Sequence, residues 1–308
     1  MRGPRQVARS AYERVLESEL SGAPSHVAVI QDGNRRYASE QGAEATDGHR
    51  AGAQTTEAML DWCDELGVDE LTLYAFSTEN FDRPEDEREH LFDLIEEKLR
   101  EFADSDRVHD SEVRIRAIGE THRLPERVRE AVQYAERRTG DYDRLHLNVA
   151  LAYGGRAELL SAARDVATDV ADEALDPDAV DVETVEDALY EGPVRDVDLI
   201  IRTGGDERTS NFLPWHANGN EAAAYFCTPY WPEFRKIDFL RAIRTYQNRE
   251  QSWRRTRAER AFTLVRTLGA ANVSEAKYVL ARFKDALSRS QRRTIEEETD
   301  AEFETPAD

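Results

Sequence analysis

Short apolar runs separated by longer amphipathic stretches constrain this chain more than any other feature. The runs lie near 26–31, 70–76, 112–118, 145–151, 197–202 and 223–227. Each has the length and β-branched or aromatic content of a buried strand. Between them, apolar residues recur at helical spacing over 47–66, 87–103, 125–138, 156–174 and 182–190. Strand–helix alternation of this kind predicts an α/β fold, a single domain whose central sheet is mostly parallel and flanked by helices on both faces. Residues 1–24 read as an N-terminal helix stopping near Gly22 and Pro24. Segment 172–187 is acidic and contains Pro177, so an exposed excursion is expected there. Beyond Arg235 the pattern is helical over 236–262 and 274–292, ending in an acidic tail.

Strands end abruptly in polar clusters, and in an open α/β sheet the carboxyl ends of strands line the ligand crevice. The first run breaks into Asp32-Gly33-Asn34-Arg35-Arg36, where Gly33 permits a sharp turn and the following backbone N–H groups offer an anion site. Asp32 supplies a hard oxygen suited to magnesium; an Asx turn capping a helix is the competing explanation. After the second run come Ser77, Thr78, Glu79, Asn80, Phe81 and Arg83, which read equally as substrate contacts or as a helix cap. RTGGDERTSN at 202–211 carries the strongest signal. Its glycines allow close backbone approach, Arg202 and Arg208 are forks suited to phosphate, and Thr209 and Ser210 add hydroxyl donors. His49 sits where it could cap a helix or meet a phosphate. YGGRAEL at 153–159 reads as a tight strand-to-helix turn.

Composition narrows the partners. Net charge is −22, and the lysines are confined to Lys98, Lys236, Lys277 and Lys284, as a salt-rich cytoplasm favours. An acidic surface argues against nucleic acid. In molar salt the Debye length is about 3 Å, so anion capture must rest on direct arginine contacts. Cys63 and Cys227 make neither a disulfide framework nor a metal site, and no run suits a membrane span or signal peptide. The expectation is a soluble cytoplasmic protein. G-x-G-x-x-G and P-loop fingerprints are missing, which disfavours nucleotide readings.

Taken in order, HVAVIQDGNRRYA, GHRAG, LTLYAFSTENFDRP, LNVALAYGGRAEL and DLIIRTGGDERTSNF followed by YWPEF resemble the cis-prenyltransferase family over about 26–250. The resemblance implies repeated addition of isopentenyl diphosphate to an allylic prenyl diphosphate, giving a long polyprenyl diphosphate that serves as a glycosyl carrier lipid precursor. It implies a catalytic domain over 25–250, with 251–308 a helical extension and acidic tail. Asp32 would be the magnesium-binding catalytic residue, and Gly33, Asn34, Arg35, Arg36, Tyr37 and His49 would hold the allylic diphosphate. Ser77, Thr78, Glu79, Phe81 and Arg83 would line the substrate site, and Asn80 would serve proton removal. Arg202, Arg208, Thr209 and Ser210 would hold isopentenyl diphosphate. Glu221 would be a second metal ligand, reaching across a homodimer. Leu91, Leu94, Ile95, Leu99 and Phe102 are candidates for an apolar tunnel wall.

Departures from the family pattern include Arg35 in place of glycine, Tyr37 and Phe81 in place of tryptophan, and Ala45 in place of an arginine. The spacing between Trp215 and Trp231 is longer than usual, which bears on Glu221. The halophilic, archaeal character points to geranylgeranyl diphosphate as primer. Transient membrane-surface contact for product release fits the expected product. An alternative is a non-catalytic prenyl-lipid-binding subunit of a heteromeric enzyme, although such members typically lose the aspartate or the RTGG block. A trans-prenyltransferase would need a DDxxD helix, which this chain lacks.

Overall fold

A computed structural model describes residues 13–189, 196–215 and 222–249. The chain divides into two compact units, Met1–Thr245 and Tyr246–Asp308, and the fold described is that of the first. In order it contains helix α1 (13–19), β1 (His26–Ile30), α2 (Asn34–Glu40), α3 (Ala45–Leu66), β2 (Glu70–Ser77), α4 (Glu85–Asp104), α5 (Asp106–Asp110) and β3 (Val113–Ile118). There follow α6 (Glu126–Thr139), β4 (Leu145–Tyr153), α7 (Gly155–Ala171), α8 (Val182–Leu189), β5 (Leu199–Arg202), β6 (Ala223–Phe226) and α9, whose residues 236–245 belong to this unit.

The strands form one sheet in the order β3-β4-β2-β1-β5-β6, and every pairing is parallel. Parallel strands covered on both faces read as continuous apolar runs, and all five residues of β1 are buried accordingly. The chain moves outward from β1 through β2 to one edge, then returns to place β5 on the other side of β1. The strand order therefore reverses between β1 and β5, the position where open α/β sheets bind ligands. Ile30 and Arg202 are register partners across that junction, so whatever follows Ile30 emerges beside the end of β5.

Two short helices escape the periodicity argument. In α2 (NRRYASE) only Ala38 is buried, and α5 buries only Val108; neither carries enough apolar residues to register as a stripe. The excursion at 172–187 holds a 3-10 turn, Pro177–Ala179, before α8. The sequence readings for 1–12, 190–195, 216–221 and 250–308 lie outside the described residues.

Helix α2 crosses α3 at a glycine. A Cβ on Gly48 would stand 2.1 Å from the Asn34 carbonyl oxygen and 3.1 Å from Ala38 Cβ. The first contact is backbone, which cannot rotate away. Gly48→Ala is expected to cost about 1–3 kcal/mol by overpacking, read as a lowered urea midpoint. An unchanged midpoint would mean that α2 shifts freely, contrary to its close seating.

Candidate active site

At the end of β1 the chain turns through Gly33, whose φ of 101° lies in the left-handed region. A Cβ there would also meet Tyr230 Cδ1 at 2.5 Å, so glycine is required twice over. Asp32 does not cap α2: that helix begins at Asn34, with Gly33 at its N-cap and no side-chain cap. Its backbone is pinned instead by Thr203 and Trp231. The Asp32 N–H donates to Thr203 Oγ1 at 3.0 Å, that hydroxyl donates to the Asp32 carbonyl at 2.7 Å, and Trp231 N–H donates to the same carbonyl at 3.0 Å.

So held, the Asp32 carboxylate lies between two guanidinium groups. Arg202 Nη2 donates to Oδ2 at 2.7 Å and Arg36 Nη2 to Oδ1 at 3.0 Å. Burial works to raise the Asp32 pKa, but hydrogen bonding and charge from Arg202, and then from Arg36, outweigh it and hold the carboxyl below its ordinary value. Arg202 is only 3% exposed; both terminal nitrogens of its fork are engaged, while its buried Nε has no hydrogen-bond partner. Besides Asp32 it reaches Asp206 Oδ2 at 3.1 Å, the Arg208 carbonyl at 2.7 Å and Ser210 Oγ at 2.5 Å. Arg208, by contrast, has a side chain 64% exposed and pairs with Asp206 at 3.0 Å. Arg36 also donates to the Gly204 carbonyl at 2.7 Å and lies over the Tyr230 ring at 5.4 Å.

This cluster borders a recess of about 510 Å³ lined by Asp32, Arg35, Arg36, His49 and Arg83 among others. Behind it lies a cavity of about 190 Å³ between the sheet and helices α3 and α4. Gln31, Asn34, His49 and Arg83 line both spaces, so the polar recess adjoins the inner cavity. All five proposed tunnel residues, Leu91, Leu94, Ile95, Leu99 and Phe102, line the inner cavity. At the junction, Glu87 ties Arg83 at 2.6 Å and Arg35 at 3.4 Å.

His49 Nε2 is buried without a hydrogen-bond partner, as is Asn34 Oδ1. Burial first, and then the Arg83 and Arg35 charges against the opposing effect of Glu87, push the His49 pKa from 6.5 down to about 4. The ring is therefore neutral at pH 7. Between these values the unfolded chain binds the proton and the folded one resists it, so stability falls as pH drops from about 6.5 to about 4. His49→Gln is expected to flatten that part of the curve by up to about 3 kcal/mol, checked by urea midpoints across the interval. Parallel curves would show that the ring is not held neutral by its surroundings.

Several candidate residues fall elsewhere. Tyr37, one position along α2 from Arg36, lines a separate shallow groove with Trp62 and Pro232 and neither of the two spaces above. Phe81 likewise packs against Phe76 and Phe92, with Arg123 4.4 Å above its ring, and lines neither space. Ser77 and Asn80 form a reciprocal cap, with Ser77 N–H donating to Asn80 Oδ1 at 3.0 Å. Asn80 also lines the inner cavity, so here the capping and site readings hold together. Thr78 packs against Gly154, and Glu79 and Thr209 are exposed. YGGRAEL is the strand-to-helix turn expected, with β4 ending at Tyr153 and α7 starting at Gly155. Glu221 lies outside the described residues.

Thr203, Asp206, Glu87, Tyr230 and Trp231 were not singled out from sequence. Asp206 follows Arg202 by one helical turn's spacing within a loop already marked, which was the available signal. Tyr230 and Trp231 arrive from almost 200 positions away, since Tyr230 O–H donates to Glu40 across a separation of 190 residues, and no local pattern announces that.

Magnesium fits the donor chemistry. No group of three His, Cys, Asp or Glu side chains that could hold a metal is gathered among the described residues. Magnesium, however, usually takes one or two carboxylates and fills its remaining positions with phosphate oxygens and water. Asp32 offers one hard oxygen donor at a recess whose arginines suit phosphate.

A family model described as "Putative undecaprenyl diphosphate synthase" matches residues 30–254. The chain belongs to the cis-prenyltransferase family. A tritrans,polycis-undecaprenyl-diphosphate synthase (geranylgeranyl-diphosphate specific) of Haloarcula marismortui is 68% identical over 296 residues, covering 96% of this chain and 97% of its own. The enzyme of the same description from Halobacterium salinarum is 68% identical over 280 residues, covering 91% and 92%. Among solved structures, lavandulyl diphosphate synthase from Lavandula x intermedia, in complex with dimethylallyl diphosphate, superposes with a TM-score of 0.68 at 33% identity. That likeness covers 73% of this chain and 95% of the other. The cis-prenyltransferase match takes in the ends of β1 and β5, from which the cluster around Asp32 is built, and the end of β2, which carries Asn80 and Arg83. No helix among the described residues is long and apolar enough to cross a membrane.

Proposed function

We propose that this cis-prenyltransferase is a magnesium-dependent, homodimeric cis-polyprenyl diphosphate synthase that extends geranylgeranyl diphosphate with isopentenyl diphosphate. Its product is an undecaprenyl-like carrier lipid precursor. One observation carries the reading: a carboxylate set between two arginines at the sheet's switch point, in a polar recess that adjoins a cavity walled on the α4 side by apolar residues.

Each condensation breaks the allylic carbon–oxygen bond, forms a carbon–carbon bond to isopentenyl diphosphate and releases one proton. Negative charge develops on the departing diphosphate. Fixed positive groups aimed there stabilise the transition state without reorganisation. Arg35, Arg36 and Arg83 face the recess, and the neutral His49 ring has an unsatisfied buried nitrogen that suits a diphosphate oxygen. Arg208 and Ser210 would receive the isopentenyl diphosphate, while Arg202 holds their loop in place. Asn80, capped and fixed at the cavity wall, would orient the group that loses its proton. Asp32, with Glu221 of a second copy, would hold the magnesium ion. When bound, the ion neutralises charge on the leaving group.

The acidic, lysine-poor composition and the halophilic relatives support work in concentrated salt within the cytoplasm. The test is incubation in molar KCl with magnesium, labelled isopentenyl diphosphate, and either geranylgeranyl or farnesyl diphosphate. Long polyprenyl diphosphates are expected, with geranylgeranyl diphosphate preferred. Absence of product with either primer overturns the proposal and leaves the non-catalytic subunit as its replacement.

A further inference from the structure

The cavity-facing stripe of α4 contains one residue that does not belong. Leu91, Leu94, Ile95, Lys98, Leu99 and Phe102 all line the inner cavity, at spacings of i, i+3, i+4, i+7, i+8 and i+11, one face of a helix. Five are apolar and the sixth is a lysine, in a chain where lysine is scarce. Its aliphatic stem can line an apolar wall while the ammonium reaches outward. That ammonium lies 3.3 Å from Glu57 Oε1 on α3 and 2.6 Å from Glu101 on α4. The Glu57 contact spans the seam between the two helices that enclose the cavity.

The depth of this tie can be read along both helices. Each starts near the polar recess and descends along the sheet. At 1.5 Å per residue, Lys98 lies roughly 10 Å below Leu91, and Glu57 roughly 12 Å below His49. The cavity itself measures about 190 Å³, little more than the roughly 150 Å³ that accommodates a single benzene ring. A growing polyprenyl chain must therefore widen it. Leu73, Leu147 and Val149 form its floor on hydrogen-bonded strands, and that floor cannot open without breaking ladder bonds. Helix α4 packs more extensively on α6 than on α3, and Arg127 of α6 ties it there through Asp93 at 2.7 Å and Glu89 at 3.0 Å. The α3–α4 seam is left as the place to give.

The geometry points to Lys98 as a product-length determinant: its bridge to Glu57 clasps α3 to α4 across the elongation cavity and limits how far the growing chain can part them. A second tie lies deeper, where Arg107 of α5 contacts Asp61 at 2.8 Å and Glu57 at 3.7 Å. Loss of the Lys98 clasp therefore lengthens the product by a bounded amount.

This inference rests on the synthase reading, and one experiment separates the two. Full-length wild type, Lys98→Met, Glu57→Gln, the double variant and Arg127→Leu are incubated with geranylgeranyl diphosphate and labelled isopentenyl diphosphate, and products are resolved by chain length. Lys98→Met keeps the apolar stem, and Glu57→Gln keeps the shape of the partner, so either variant can carry the test if the other folds poorly. The product maximum is expected to rise by at least one isoprene unit in each. The double variant should shift no further than the larger single shift, expected for Glu57→Gln, because both changes break the Lys98–Glu57 bridge and Glu57→Gln alone also loses the Arg107 contact. Arg127→Leu, which loosens α4 on its other side, should leave the maximum in place. Wild-type product with unmoved maxima in Lys98→Met and Glu57→Gln overturns the clasp alone, as does an equal shift in Arg127→Leu. No polyprenyl product from wild type overturns both readings.

Discussion

Asp32→Ala is expected to reduce condensation at least ~10³-fold, at the upper end of what one preorganised electrostatic group contributes. Three effects combine. The carboxylate offered to magnesium disappears, Arg36 loses the partner that aims it into the recess, and Arg202 retains only Asp206 as a charged partner. The fold should survive, because the Asp32 side chain is 28% exposed and its backbone is held by Thr203 and Trp231 independently of the carboxylate. The pH dependence carries a sign. A carboxyl whose folded pKa is depressed stabilises the native state above its unfolded pKa, and that contribution disappears as pH falls through the lowered value. At neutral pH the variant should therefore lose a little stability, and the two proteins should begin to converge below about pH 4, meeting once the pH has fallen through the lowered value. Initial rates and urea midpoints together check this. A variant retaining a tenth of wild-type turnover would remove Asp32 from the mechanism.

Arg202→Met should damage stability more than any other single change at this site. The guanidinium satisfies two carboxylates, a hydroxyl and a carbonyl from a position 3% exposed. Removing one partner from a buried charge cluster costs on the order of 3–5 kcal/mol. The partial exposure of Asp32 and Asp206, at 28% and 34%, places the expectation at the lower end, about 3 kcal/mol. Arg202→Lys separates charge from geometry. An ammonium restores the balance of charge but cannot reach four acceptors as a planar fork does. Most of the stability should return, while KM for isopentenyl diphosphate stays raised because the loop carrying Arg208 and Ser210 is no longer fixed. If Lys restores KM fully, Arg202 acts only as a charge and not as a scaffold.

Most of the architecture was legible beforehand because it is local. A strand buried on both faces must be apolar throughout, so HVAVI and LIIR declare themselves. A helix lying on a sheet must repeat at 3.6 residues, so α3, α4 and α6 do so too. The placement of Asp32 and Arg202 on one edge followed from the same alternation, since such a sheet collects its carboxyl ends there; that their strands are neighbours came from the strand order. What escaped has a common cause. α2 and α5 bury one residue each and leave no periodic trace. Tyr37 and Arg36 are adjacent in the chain yet point to different spaces, because successive helical positions turn by about 100°. Phe81, which the resemblance places at the substrate site, packs with Phe76 and Phe92, a contact that joins three rings across separate elements.

From the sequence alone came the element types, the parallel sheet, the edge that carries the chemistry and the family to which those residues belong, since each is written in patterns spanning a few turns or one strand. Only the tertiary structure decided that the fork of Arg202 faces inward, that Trp231 pins Asp32, and that Lys98 bridges two helices beside an apolar cavity. Those facts join residues up to 199 positions apart, as Trp231 and Asp32 are. Their energy is realised only after packing excludes water, so no local pattern has reason to record them.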